Sequence, residues 1–197
     1  MPLRRTHLAI ATVLAAGVAA VGVSAIAEAT STQGGHTSSA VIRDVEGNAI
    51  GRLTIANQGF GKSRVTVSAR GLSEGFHGFH IHATGVCDPK AVDPSTGNVS
   101  PFFTAGGHFN LGQGTHGAHS GDLPPLLAAG DGTSSASVVT DKFRLSQLND
   151  ADGSAIIIHA LPDNLAHIPE RYAPNGPDDA TKRTGDAGGR FACGIIK

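Results

Sequence analysis

The fold of this chain is constrained most by short segments in which apolar and polar residues alternate. In residues 65–70, Val-Thr-Val-Ser-Ala-Arg, the apolar side chains fall on one side of an extended backbone and the polar ones on the other. Similar runs recur along the chain, separated by Gly, Asn, Asp and Pro, with no long helical period after residue 29. The predicted strands are residues 40–44, 50–58, 65–70, 78–82, 126–129, 135–140, 155–159 and 190–195.

Short strands without long helices predict an all-β sandwich or barrel. The chain has 197 residues, which fits one domain and an export segment. Two stretches, residues 87–123 and residues 161–189, interrupt the strands and are rich in Gly, Pro, Asp and His. Long loops on a small barrel are often functional. We therefore expect an all-β domain that carries two long functional loops.

The beginning of the chain has the features of an export signal. Arg4 and Arg5 precede an uncharged apolar run at residues 8–27, and small residues at its end form Ala-x-Ala cleavage patterns. This predicts a signal peptide over residues 1–29 and an exported protein. An uncleaved membrane anchor is the alternative, because about 20 apolar residues can span a bilayer. The arginine pair also partly resembles a twin-arginine signal, which suits export of a folded protein.

The remainder of the chain limits its partners and its redox state. Residues 30–37 have no apolar pattern and predict a disordered lead-in, so the folded domain should comprise residues 38–197. The net charge of −1 gives no sign of a nucleic-acid partner. We expect no stable membrane association once the signal is removed. Cys87 and Cys193 are the only cysteines, and in an exported chain they predict a single disulfide.

Histidines form the strongest chemical signal in the sequence. The chain has ten of them, and seven fall within residues 77–159. His80 and His82 are two apart on a predicted strand, so both imidazoles project from one face and can bind one metal. An isolated pair of this kind is more often an ordinary surface feature. His159 ends an apolar run, where either a metal-bound neutral imidazole or a hydrogen-bonded core histidine is tolerated.

A second group of potential metal ligands lies in the first long loop. His108, His116, His119 and Asp122 have the spacing H-x7-H-x2-H-x2-D. Three imidazoles and one carboxylate form a closed tetrahedral set that suits zinc. The alternative is a loop that is rich in histidine by chance, and the position of the aspartate favours the zinc site.

Five segments together resemble the motifs of copper/zinc superoxide dismutases. They are Gly-Phe-His-Ile-His at 78–82, Ala-Gly-Gly-His-Phe-Asn at 105–110, His-Ser-Gly-Asp-Leu at 119–123, Ile-Ile-His at 157–159 and Gly-Asp-Ala-Gly-Gly-Arg-Phe-Ala-Cys-Gly at 185–194. The resemblance extends over most of the chain after the lead-in. It implies an eight-stranded Greek-key β-barrel related to the immunoglobulin-like sandwich, an architecture of which this family is itself a known example.

The resemblance also implies an activity and its cofactors. A copper ion that cycles between two oxidation states would convert superoxide, the substrate, to dioxygen and hydrogen peroxide, and a zinc ion would be its redox-silent neighbour. Two other functions stay open: a copper-binding or copper-delivery protein on the same barrel, and a zinc-stabilised interaction module. The location could be the periplasm, the cell wall or the medium, and both a monomer and a homodimer are compatible with the sequence.

Each functional residue follows from the same resemblance. The implied copper ligands are His80, His82, His108 and His159, and the implied zinc ligands are His108, His116, His119 and Asp122. His108 would bridge the two metals as an imidazolate and carry a proton to the product. Arg190 would dock superoxide, since a permanently charged guanidinium suits a small anion. Asp163 would link one copper ligand to one zinc ligand, and His77 would be structural.

Two features depart from the family pattern. The gap between His116 and His119 is shorter than in many members, which puts the zinc geometry in question. The loop between His159 and Arg190 is longer than in animal relatives, and it contains an acidic pair and a basic pair near its end. His36 and His167 match no motif of the family.

Overall fold

A computed structural model describes residues 37–112 and 114–197 of the chain. The strands in this part are short and are joined mainly by turns and irregular loops. They are β1 (Thr37–Asp44), β2 (Ala49–Gly59), β3 (Lys62–Ala69), β4 (Gly75–His77), β5 (Phe79–His82), β6 (Leu126–Ala128), β7 (Ser134–Thr140), β8 (Ser154–His159) and β9 (Arg190–Ile196). The helical elements are two short 3-10 helices, Phe103–Ala105 and Leu145–Gln147, and the one-turn helix α1 (Thr181–Thr184).

The strands form a curled antiparallel sandwich of the barrel type. Seven of them hydrogen-bond in the order β5-β8-β9-β1-β2-β3-β7, and β4 pairs with β6. Strand β4 leads directly into β5, and a short turn connects β6 to β7, so the small sheet is continuous in the chain with both edges of the large one. Strand β9 returns to lie beside β1, which is a connection of the Greek-key type. The predicted all-β barrel is therefore confirmed.

The alternating pattern of the sequence explains which side chains enter the core. In β3 every second residue is buried, and in β1 the buried residues are Ser38, Ala40 and Ile42. Strands β5 and β8 differ because all of their residues are buried. Their inner side chains, such as Ile81 and Ile156, join the main core, and the two long loops cover their outer faces. The outer face of β5 and β8 is thus a buried surface outside the barrel.

The structure differs from the sequence prediction at the strand that carries the first histidines. Extended backbone begins at Gly75 instead of residue 78 and is divided at Gly78, which gives nine strands in the described part. The Gly78 amide donates to the Leu161 carbonyl, and the Gly78 carbonyl accepts from the His159 amide, at 2.9 and 2.8 Å. A Cβ at Gly78 would lie 2.5 Å from the Ala187 Cβ. The second long loop therefore packs directly against this break.

Strand β1 begins at Thr37, one residue before the expected start of the folded domain. The predicted signal peptide and residues 30–36 of the predicted lead-in lie outside the described residues. Within residues 37–112 and 114–197, no helix has the length and the apolar character needed to cross a bilayer.

The predicted disulfide joins the first long loop to the last strand. Cys87 and Cys193 are bonded, with 5.8 Å between their Cα atoms. They pack with a second apolar cluster that includes Phe102 and Ile157. The Phe102 amide donates to the Asp88 carbonyl at 2.7 Å, so the backbone next to Cys87 is held against this cluster. The disulfide therefore fixes the part of the loop that approaches the start of β9.

Candidate metal centre

Histidines from two strands and one loop meet on the buried outer face of β5 and β8. His80 and His82 project outward from β5, while their neighbours Phe79 and Ile81 point into the core. The loop chain runs alongside β5, where His108 pairs with His82 through an isolated antiparallel bridge. One ring nitrogen from each of four histidines lies within 4.8 Å of the other three; these residues are His80, His82, His108 and His159.

A glycine in the sequence permits this close approach of the loop. Gly121 is hydrogen-bonded between the Ile81 amide, at 2.9 Å, and the Phe109 carbonyl, at 2.7 Å. A Cβ on Gly121 would lie 2.3 Å from the Ile81 carbonyl oxygen, so any larger residue would push the loop away from β5. Asp122, the next residue, bridges to His80 in the same way as His108 does to His82. Backbone pairing therefore positions both loop ligand candidates.

The three strand histidines each have one ring nitrogen held by an oxygen atom. His80 Nε2 lies 2.6 Å from Asp163 Oδ2, His82 Nδ1 lies 2.9 Å from the Gly106 carbonyl, and His159 Nδ1 lies 3.1 Å from the Gly188 carbonyl. A neutral ring that donates from one nitrogen presents a lone pair at the other. Those other nitrogens are His80 Nδ1, His82 Nε2 and His159 Nε2, and all three are buried with no hydrogen-bond partner in the described part of the chain.

Burial keeps these three rings neutral near pH 7. Loss of hydration lowers the pKa of His80 to about 4, although the hydrogen bond to Asp163 opposes the shift. Burial lowers the pKa of His159 to about 3 and holds the pKa of His82 well below its ordinary value, with Arg190 adding to the shift of His82. Neutral imidazole is the form that binds metals. The three rings are therefore already in the neutral form that binds a metal ion.

A second group of donors converges on the carboxylate of Asp122. His108 Nδ1 lies 2.9 Å and His116 Nδ1 lies 3.3 Å from Asp122 Oδ1, and His119 Nδ1 lies 3.3 Å from Asp122 Oδ2. His119 Nδ1 is buried and has no hydrogen-bond partner among the residues described. The four donors within 4.8 Å of one another on this side are, however, His80, His108, His116 and Asp122. His119 lies outside this set, although its ring packs edge-on against the rings of His108 and His116, with centroids 5.4 and 5.7 Å apart.

Asp163 joins the two groups from the second long loop. Its Oδ2 accepts from His80, and His116 Nε2 lies 2.8 Å from Oδ1 and 2.9 Å from Oδ2. Burial disfavours a charged ring at His116, but hydrogen bonds to Asp122 and Asp163 outweigh it and raise the pKa of His116 to about 9. At Asp163, hydrogen bonds from His116 and His80 outweigh burial and hold the pKa of the carboxyl well below its ordinary value.

Arg190 lies in the wall of a cavity that opens onto the first group. The cavity has a volume of about 620 Å³, and His82, His108 and His159 also line it. The guanidinium donates from Nη2 to the Gly106 carbonyl at 2.6 Å and from Nη1 to the Phe102 carbonyl. Burial lowers the pKa of Arg190, yet a guanidinium stays charged at any physiological pH. A fixed cation therefore faces the same space as the histidines.

Sequence reasoning missed the carbonyls that orient the rings. The Gly106 carbonyl accepts from both His82 and Arg190, so one backbone oxygen positions a ligand candidate and the cation. Gly185 approaches the link at Asp163 so closely that a Cβ there would lie 2.1 Å from Asp163 Oδ1 and 2.3 Å from His116 Nε2. Both glycines lie in segments that carry the family resemblance, which was the available signal. His77 Nδ1 lies 2.8 Å from the His159 carbonyl and belongs to neither donor group.

Comparison with known proteins identifies the family to which this arrangement belongs. A family model described as copper/zinc superoxide dismutase (SODC) matches residues 49–196. The chain belongs to the copper/zinc superoxide dismutase family. "Superoxide dismutase [Cu-Zn]" of Mycobacterium bovis is 44% identical over 154 residues, covering 76% of this chain and 60% of the relative. The chain thus spans about 60% of the length of that mycobacterial relative.

Two further members of the superoxide dismutase family support the assignment. "Superoxide dismutase [Cu-Zn] 2" of Brassica juncea is 37% identical over 163 residues, which cover 80% of this chain and 94% of the relative. The solved structure of a Cu/Zn superoxide dismutase from Brucella abortus superposes with a TM-score of 0.65 at 28% identity, covering 82% of this chain and all of the other. The resemblance noted in the sequence is therefore confirmed.

Copper and zinc, the metals of this family, fit the donors present in the structure. Three buried imidazole nitrogens that have no partner among the described residues face one another, and imidazole is a preferred ligand of copper. Around Asp122, three imidazoles approach one carboxylate, which is a donor set that zinc accepts. Zinc bonds of about 2.0–2.2 Å in a tetrahedron separate ligand atoms by roughly 3.3 Å. The 3.3 Å between His116 Nδ1 and Asp122 Oδ1 matches that separation, whereas His119 Nδ1 lies 3.3 Å from the other oxygen, Oδ2.

Proposed function

We propose that the chain is a superoxide dismutase that converts two superoxide anions and two protons to dioxygen and hydrogen peroxide. The observation that carries the proposal is the set of buried ring nitrogens of His80, His82 and His159, which have no partner in residues 37–112 and 114–197. They lie beside a cavity whose wall holds the cation Arg190. A redox site with a fixed positive charge at its entrance suits a small anionic substrate.

We propose the following ligands on the basis of the free nitrogens and the contacts at Asp122. Copper would be held by His80 Nδ1, His82 Nε2, His159 Nε2 and a ring nitrogen of His108. Zinc would be held by His108, His116, His119 and Asp122, and His108 would serve both ions. Bound copper would supply one-electron oxidation and reduction, which is chemistry that no side chain of this site can provide.

Arg190 would bind superoxide and orient it toward the histidine cluster. Its Nη1 and Nη2 donate to the carbonyls of Phe102 and Gly106, which leaves other N–H groups of the guanidinium for an anion. Those carbonyls belong to the loop that the disulfide anchors. The position of the cation would therefore depend on the disulfide as well as on β9.

His108 would supply one of the two protons that hydrogen peroxide requires. Its Nδ1 lies 2.9 Å from Asp122 Oδ1, so Nε2 is the nitrogen with a free lone pair that would take up a proton and pass it to the product. The ring lies in the wall of the cavity next to Arg190, so a proton at Nε2 would have a short path to the product. The second proton would come from solvent through the open cavity.

The experiment compares activity and metal content in two matched variants. Protein loaded with copper and zinc should accelerate the decay of superoxide. His159→Gln should lose copper and activity together, whereas His167→Gln, an exposed histidine outside both donor groups, should change neither. A fully loaded wild-type protein that leaves superoxide decay at the uncatalysed rate would overturn the proposal.

We also propose that the protein is exported, with residues 1–29 as a cleaved signal. The charged start followed by an apolar run at residues 8–27 supports export, and the disulfide suits an oxidising compartment. Measuring the mass of the protein recovered outside the cell membrane tests this proposal, because cleavage removes the first 29 residues. A chain that keeps its first 29 residues would contradict cleavage.

A further inference from the structure

The turn between β2 and β3 contains a phenylalanine whose side chain is not packed in the core. Phe60 is 103% exposed, as much as in an extended peptide, and lies between two glycines. Its φ of +49° is in the left-handed region, which a bulky side chain disfavours. Phe102 also has a positive φ, +61°, but its ring is buried and its carbonyl binds Arg190. No comparable packing explains Phe60.

Three cations flank the turn that carries this exposed ring. Lys62 follows it in the chain, Arg64 binds Gln58 at the start of the same turn, and a Cβ on Gly61 would lie 3.4 Å from Arg144 Nε. All three cationic side chains are exposed.

These positive charges are free of neutralising partners. In the described part of the chain, no side-chain nitrogen of a lysine or arginine lies within 4.0 Å of a carboxylate oxygen. Asp141, which directly follows β7, therefore forms no ion pair with the three cations. The turn therefore presents an exposed aromatic side chain next to three cations that form no ion pair in the described part of the chain.

The chain enters the domain beside this turn. Thr37, the first residue of β1, pairs with Ala56 and lines the same groove as Phe60 and Arg144. The apolar run of residues 8–27 precedes this entry point. In the large sheet, three strands (β8, β9 and β1) separate β2 from β5, which carries the histidine cluster. None of the residues that line the groove at this turn also lines the cavity that contains Arg190.

We propose that Phe60, Lys62, Arg64 and Arg144 form a docking surface for an anionic phospholipid membrane. An exposed aromatic ring enters the boundary between headgroups and acyl chains, while lysine and arginine bind the anionic headgroups. The contact is peripheral and reversible, because its charges are screened by salt within about 10 Å. It holds the exported enzyme at the membrane that its own apolar segment crosses during export.

The test measures partitioning of the exported, processed protein onto vesicles of phosphatidylcholine with and without phosphatidylglycerol. Binding should require phosphatidylglycerol and should disappear at high salt. Phe60→Asn should lower the partition coefficient by about tenfold. Replacing Lys62, Arg64 and Arg144 together by Gln should lower it by about 100-fold, since each charge contributes roughly fivefold. Phe76→Ser, which removes an exposed ring from β4, is the matched control and should have no effect.

A second measurement separates docking from folding. Asparagine tolerates the left-handed region, so Phe60→Asn should raise Tm by about 2–4 °C while superoxide dismutase activity stays unchanged. A lower Tm would show that the fold needs the ring and would overturn the argument. Equal binding to both kinds of vesicle, or binding to an acidic polysaccharide in place of vesicles, would also overturn it. Self-association that Phe60→Asn abolishes would assign the surface to a second copy of the chain instead.

Discussion

Substitution of Asp163 is the most direct way to perturb the link between the two donor groups. Its carboxylate accepts hydrogen bonds from His80 at 2.6 Å and from His116 at 2.8 Å. Asp163→Asn keeps the shape of the side chain but replaces one acceptor oxygen by an N–H donor. The amide can accept from one histidine only, and its NH₂ group must then face the N–H of the other. The change therefore breaks one side of the link without opening a cavity.

The magnitude follows from the role of such partners at metal sites. Removing a hydrogen-bond partner of a metal ligand commonly lowers metal affinity by about 10–100-fold, which corresponds to about 1.4–2.8 kcal/mol. We expect zinc affinity to fall by this factor, because His116 loses one of the two carboxylates, Asp122 and Asp163, that together raise its pKa to about 9. In the metal-free variant the pKa of His116 should fall below that value.

The assay is competition for zinc between the protein and a chelator, with the pKa of His116 measured by NMR on the metal-free protein. Asp152→Asn removes an exposed carboxylate outside both donor groups and should match the wild type in both measurements. Wild-type zinc affinity and an unchanged pKa of His116 in Asp163→Asn would refute the proposed link.

Three further predictions concern the cation, the disulfide and acid. Arg190→Ala should keep both metals but lower kcat/KM by about 10–100-fold, the equivalent of one charged hydrogen bond, with weaker salt dependence; unchanged kinetics would exclude docking. Replacing Cys87 and Cys193 by Ser should lower the free energy of unfolding by up to about 5 kcal/mol in chemical denaturation, because the bond closes a separation of 106 residues, and an unchanged midpoint would contradict this. In the metal-free protein, His80 and His159 have pKa values of about 4 and 3, so the unfolded chain binds more protons below about pH 6.5. Stability in urea should therefore fall between about pH 6.5 and 4, by roughly 1 kcal/mol per pH unit for each histidine, and constant stability would contradict the assigned burial.

The sequence predicts the scaffold well because strand alternation is a local property. Val65, Val67 and Ala69 are buried as their spacing requires, and the pair His80 and His82 projects from one face of β5. The family motifs also locate both long loops. These features depend on residues close together in the chain, where the two-residue period of a strand determines the facing of each side chain.

Other features depend on contacts between distant segments. The tautomer of His82 is set by the Gly106 carbonyl, 24 residues away, and that of His159 by the Gly188 carbonyl, 29 residues away. Gly78, where the strand is divided, packs against Ala187 from the second long loop. Alternation within a strand contains no information about these partners, so only the folded chain reveals which nitrogen each histidine presents.

Four histidines are proposed to bind a redox-active ion and to share one ring with a zinc site. Anomalous X-ray diffraction at the copper and zinc absorption edges tests it most directly on crystals of the fully loaded protein. We predict copper bonded to His80 Nδ1, His82 Nε2, His159 Nε2 and His108, and zinc bonded to His108, His116, His119 and Asp122. Copper at any position that does not contact His80, His82 and His159 together would contradict the account.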